Sequence, residues 1–154
     1  MAQKEILAKI LMVLVHDKNI QKVIEIFQDL GAFLKHYNKI GIETRLACFE
    51  LDGIGVDIVG NCRILERYSY NPDDEMFKRI NLIEFCNKSV PVISPEDVFL
   101  FKALCQRDVN VGKSDVVDAI AINRKNKLDI EYLFERAKNC GGLERVRSFI
   151  DSLK

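Results

Sequence analysis

The sequence predicts an α+β fold, a mixed β-sheet with packed helices followed by a C-terminal helical part. Three observations carry that prediction. The run at 10–15, ILMVLV, is wholly apolar, short and followed by a turn, as a buried strand is. Strand-like runs flank Asp52-Gly53, a dipeptide suited to a tight hairpin. After Ser94 every apolar pattern has helical spacing. A chain of 154 residues is one domain's worth. The expected organisation is a single domain, sheet-bearing over about 1–93 and helical over about 94–154.

The elements follow in order. Residues 4–9 add a helical lead-in to the strand at 10–15, and His16-Asp17-Lys18-Asn19 makes the turn. Ile20, Val23, Ile24 and Phe27 fall at i, i+3, i+4 and i+7, Leu30 continues the stripe, and Gly31 ends it. A strand, a crossover helix and further strands place helices against a mixed sheet. Residues 44–51 form a strand, and the chain returns over 55–60 with Asp57 inside an otherwise apolar run. The polar stretch 68–75, with Asn71-Pro72-Asp73-Asp74, reads as a loop. Residues 77–85 and 90–93 read as a hairpin around Asn87-Lys88, with Pro91 at an edge position.

In the helical part, Ser94 is a capping residue, Pro95 suits the first helical position, and Glu96 and Asp97 favour the positive end of the dipole. The helix that follows is apolar nearly all round, yet Lys102 sits in its middle. A buried ammonium needs an anionic partner or a route to water. Ser114 can cap a second helix, on which Asp115 and Asp118 stand three apart and share a face. Asp115 can serve the helix start; Asp118, a turn further in, is a partner for Lys102. Asp129 caps a third helix with the stripe Ile130, Leu133, Phe134 and Ala137. Cys140-Gly141-Gly142 breaks it, and Leu143, Val146, Ile150 and Leu153 line a last helix.

Lysine plus arginine and aspartate plus glutamate both number 23, so the net charge is zero. That argues against broad nucleic-acid binding. Cys48, Cys62, Cys86, Cys105 and Cys140 lie far apart without zinc or redox spacing, as expected of reduced thiols in a cytoplasmic protein. The run at 10–15 is too short to span a membrane, and Glu5 and Lys9 interrupt any signal-like region. His16 and His36 have no serine or cysteine motif around them and read as turn or surface residues.

Ser94-Pro95-Glu96-Asp97, then Lys102, Arg107, Lys113, Asp115 and Asp118, resembles the C-terminal motif of the abortive-infection toxin type nucleotidyltransferases. That motif runs lysine, four residues, arginine, a variable loop, then lysine-x-aspartate-x-x-aspartate. The resemblance covers about residues 10–125. It implies a nucleotidyltransferase-like fold, a nucleoside triphosphate as ligand, a catalytic role for Lys102, and nucleotide or partner binding by Arg107, Lys113, Asp115 and Asp118. It also implies a Gly-Ser turn and an Asp-x-Asp pair for magnesium, with a third metal carboxylate matched here by Asp57.

The chain departs from the family where the metals belong. The strand ILMVLV carries no carboxylate and no Gly-Ser turn precedes it. Asp57 alone cannot organise two magnesium ions. The expectation is therefore a degenerate, non-catalytic member that binds a nucleotide or a partner and needs no cofactor. One alternative is an active, magnesium-dependent enzyme with ligands from Asp17, Glu50 or a second subunit. Another is a self-associating module, a homodimer joined through apolar strands.

Overall fold

A computed structural model describes residues 10–85 and 87–153. The expected lead-in at 4–9, with Glu5 and Lys9, lies outside them, as does Cys86. Strand β1 (Ile10–Leu14) is followed by a 3-10 turn at 17–19 and helix α1 (Ile20–Ile26). Then come β2 (Phe33–Lys39), β3 (Ile42–Leu51), β4 (Ile54–Ile64) and β5 (Tyr68–Tyr70). The sheet has the order β1-β4-β3-β2, with β5 paired to the far end of β4. β1 runs parallel to β4 and every other pair is antiparallel, so the sheet is mixed as expected. A short helix α2 (Asp74–Lys78) leads to a separate hairpin of β6 (Asn81–Phe85) and β7 (Lys88–Val92). Helices α3 (Pro95–Cys105), α4 (Asp115–Lys125), α5 (Ile130–Asn139) and α6 (Leu143–Ser152) complete the chain.

The two faces of the sheet carry two cores. On one face Ala47, Phe49, Val56 and Ile58 pack under Ile20, Val23 and Ile24 of α1 and Phe27 just beyond its end. On the other, Leu46, Cys48, Val59, Cys62 and Ile64 pack against Phe99, Leu100, Leu104, Leu133 and Val146 of the C-terminal helices. Among the described residues no helix is long and apolar enough to cross a membrane.

A bulge in β4 sets up both faces. Thr44 pairs with Cys62 and Leu46 with Val59, so Gly60 and Asn61 together oppose Arg45 alone. The parity of β4 inverts there: Val59 faces the C-terminal helices before the bulge, Cys62 and Ile64 after it. The bulge takes the backbone groups of Asn61 out of the regular ladder. Its N–H donates to Asp17 Oδ1 (3.2 Å), and its carbonyl accepts from Thr44 Oγ (2.8 Å). Gly60 is glycine because a Cβ there would lie 2.5 Å from Asp17 Oδ1 and 2.9 Å from Asp17 Cα.

Three expectations change, and one strand appears that the sequence did not announce. The run at 10–15 holds a strand but not a buried one: among the described residues β1 pairs only with β4, and Leu11 and Met12 are 55% and 61% exposed. β2 had no apolar signal because it is exposed on nearly all of its length. The stretch 68–75 is not all loop; Tyr70 is buried in β5, and Asp73 caps α2 by accepting the Met76 N–H (3.0 Å). The hairpin consequently starts at Asn81 and not at residue 77, turning at Asn87 with Pro91 in β7. The Asp52-Gly53 turn forms as expected, both residues having positive φ.

Candidate functional site

The site is built around Lys102 on α3. Ser94 caps that helix by accepting the Asp97 N–H (3.1 Å), and Pro95 opens it. Leu100, Ala103 and Leu104 are fully buried around Lys102, whose side chain is 23% exposed. Its ammonium donates to Asp115 Oδ1 (2.9 Å) and to Asp118 Oδ2 (2.8 Å). The two aspartates on one face of α4 both meet the lysine, although the sequence singled out Asp118.

Asp115 is the deeper of the two. It is fully buried and accepts four hydrogen bonds. Besides Lys102, these come from Arg107: backbone N–H (3.1 Å), Nε (2.6 Å) and Nη2 (3.3 Å). Its own N–H returns a bond to the Arg107 carbonyl (3.1 Å). So Asp115 is not merely an acid at a helix start; it locks the α3–α4 loop. Burial pushes its carboxyl up, but the bonds from Arg107 and Lys102 outweigh that and hold it below its ordinary value. Asp118 is 41% exposed in its side chain and also accepts from Ser114 Oγ (3.1 Å). Ser114 therefore stands at the cap position of α4 without making the cap bond.

Burial pulls the Lys102 ammonium down, yet its hydrogen bonds to Asp118 and Asp115 overcome it and raise its pKa. A lysine held protonated is neither a general base nor an amine nucleophile. It offers charge and donors. An ammonium has three N–H groups. Asp115 and Asp118 take two, and among the described residues no side chain takes the third.

The remaining candidates stand apart. Lys113 is exposed; its backbone N–H closes the loop on the Asp108 carbonyl (3.0 Å). Asp57 is half-buried on β4, on the sheet face that carries the C-terminal helices, and among the described residues makes no ion pair with Lys102 or Arg107. Met12 on β1 and Cys48 on β3 flank it in register, so all three side chains share that face. Burial and the Asp57 carboxylate push the Cys48 thiol up to about 11. Glu50, paired to Gly55, reaches the same face, diagonal to Asp57.

These residues fit a magnesium pair poorly. Asp57 and Glu50 are the acids of that face in β3 and β4, and β1 adds none. Among the described residues no three of His, Cys, Asp or Glu gather to hold a metal ion. Asp17 is already engaged by Asn61 N–H and by Arg45 Nη2 (3.0 Å). Two surface grooves lie elsewhere. One, of about 430 Å³, includes Asp17, His36, Glu43, Arg45 and Arg63; the other, of about 530 Å³, includes Ile130, Phe134 and Arg147. In the first, Arg45 pairs with Asp17, and His36 Nε2 lies 3.4 Å from Glu43 Oε1.

A second buried cluster escaped the sequence reading. Asp97 lies in the first turn of α3 as expected, but it does more than favour the dipole. Fully buried, it accepts from Arg136 Nε (3.0 Å), Tyr132 OH (2.8 Å) and Ser94 Oγ (2.9 Å). Arg136 also pairs with Asp73 and donates to the Asn71 carbonyl (3.2 Å). Glu96 accepts the Asp129 N–H (2.9 Å). This network ties the loop before α2 to α3 and α5. Its signal in the sequence was an arginine inside an amphipathic helix, which reads as surface.

No family model matches the chain, and no curated protein matches it in sequence. Among solved structures it is similar to the crystal structure of a candidate nucleotidyltransferase from Thermotoga maritima, at 19% sequence identity and a TM-score of 0.44. The likeness covers 74% of this chain and 66% of that one, so this chain spans just under two thirds of that length. At that level neither activity nor substrate transfers.

Proposed function

We propose that this chain is a nucleotidyltransferase-like protein that binds a nucleotide without a catalytic metal and transfers nothing. The observation that carries the reading is Lys102, kept charged between Asp115 and Asp118 beside Arg107, with one N–H unspent. The motif resemblance over Lys102, Arg107, Lys113, Asp115 and Asp118 supplies the ligand class. The poverty of acids around Asp57 argues against chemistry. In-line transfer to a phosphorus needs its charge neutralised and its attacking oxygen held, usually by two cations between carboxylates.

The test is a thermal-shift panel of the four nucleoside triphosphates, each with magnesium and with EDTA. At least one raises the melting temperature, equally in both conditions, and purified protein transfers no labelled nucleotide. Saturable transfer, lost with EDTA or in Asp57→Asn, overturns the reading and favours an active enzyme using Glu50 beside Asp57.

A second reading, self-association, rests on one observation. Leu11 and Met12 on β1 and Leu82 and Phe85 on β6 are each more than half exposed. Apolar edge strands invite another strand. Light scattering then gives a dimer that Leu82→Lys or Phe85→Lys dissociates. A monomer at every concentration ends this reading.

A further inference from the structure

We propose that the group recognised at the Lys102–Asp118 corner is a hydroxyl-bearing sugar and not a phosphate. The proposal rests on the nucleotide reading above and adds which end of the ligand is gripped. Two cations, Lys102 and Arg107, stand against two anions, Asp115 and Asp118, so the cluster has no surplus positive charge to offer a polyanion. Arg107 is spent on the buried Asp115, its Nε and Nη2 both donating there. What is left over is the third N–H of Lys102, on a side chain 23% exposed, beside the 41% exposed carboxylate of Asp118.

That is one donor next to one acceptor. A phosphate oxygen only accepts, and next to Lys102 it would stand against the like charge of Asp118. A hydroxyl accepts from the ammonium and donates to the carboxylate at once. A vicinal diol, as on a ribose, makes both bonds with two adjacent groups. Asp118 keeps acceptor capacity for this, since a carboxylate offers about four lone-pair sites and Lys102 and Ser114 take two.

The experiment titrates the protein in EDTA, by NMR, with the four ribonucleosides, their 2′,3′-dideoxy forms, their triphosphates, ribose, and inorganic tripolyphosphate. A ribonucleoside binds with affinity similar to its triphosphate, ribose perturbs the same signals weakly, and tripolyphosphate displaces neither. The dideoxy form binds about tenfold more weakly or worse, as expected where a site is built to hydrogen-bond a hydroxyl. Asp118→Asn and Lys102→Met, each first verified as folded by circular dichroism, bring the ribo-to-dideoxy ratio close to one. Binding of triphosphates and tripolyphosphate but of no nucleoside overturns the proposal and leaves the nucleotide reading standing. Equal binding of ribo and dideoxy forms also overturns it. Silence from nucleosides, triphosphates and ribose alike overturns both.

Discussion

Arg136 Nε lies 3.0 Å from Asp97 Oδ1, and both side chains are shut away from water. A charge stripped of its partner in such a place is costly, whereas removing both is often tolerated. Arg136→Met should therefore destabilise by about 3–5 kcal/mol. Adding Asp97→Leu to it should recover part of the loss, and urea unfolding of the two variants checks the order.

The same reasoning separates the two aspartates of α4. Asp115→Asn leaves Lys102 and Arg107 facing a neutral group in a buried place and should cost about 3 kcal/mol. Asp118→Asn removes a pair that water already screens and should cost less than about 1 kcal/mol. Equal melting temperatures for the two variants would contradict the burial difference.

Stability should depend on pH at two ends. Asp115 is lowered in the folded state, so its contribution is present above the unfolded carboxylate value, about 3.9, and is lost as pH falls through the lower folded value. Lys102 is raised, so its contribution is present below about 10.4 and is lost as pH rises through the higher folded value. The stability gap between wild type and Asp115→Asn should stay level between these limits and close below about pH 4. The gap to Lys102→Met should close at the alkaline end. Denaturation curves across pH measure both.

Met12 stands beside Asp57 on the neighbouring strand, about 4.8 Å away in the hydrogen-bonding direction. It is largely exposed, so a carboxylate there meets water rather than core. Met12→Asp should give the protein a manganese site shared with Asp57, seen by electron paramagnetic resonance and absent in Met12→Asp/Asp57→Asn. Manganese binding as tight in the wild type would mean that acids elsewhere already hold the ion.

Cys48, Cys62, Cys105 and Cys140 are buried and their thiols are raised, Cys105 to about 12 and Cys140 to about 11, burial being the first cause for each. At pH 8 they are protonated. Iodoacetamide should leave these four unlabelled in the folded protein, by peptide mapping, and label them in urea.

The Lys102–Asp118 contact was legible because a charge in an apolar helix demands a partner and two acids three apart share a face. Which acid turns inward was not legible, since spacing fixes the shared face and not its depth. The mixed sheet was legible from the apolar run at 10–15 and the turn at Asp52-Gly53. The edge position of β1 was not, because composition does not tell a strand which neighbours it lacks. β2 stayed silent for the converse reason: a strand wetted on nearly every residue has no alternation to read. The Asp97–Arg136 pair joins residues 39 apart, and nothing local announces it.

The doubled residues at Gly60 and Asn61 give β4 a length it cannot change. Deleting one would restore a regular ladder and, in the same step, turn Cys62 and Ile64 outward and drive Arg63 inward. The spacing across the bulge is thus fixed by the two cores, and position 60 by the close approach of Asp17. Any alignment drawn without a gap against a kinsman lacking the extra residue would compare inward positions with outward ones from there on.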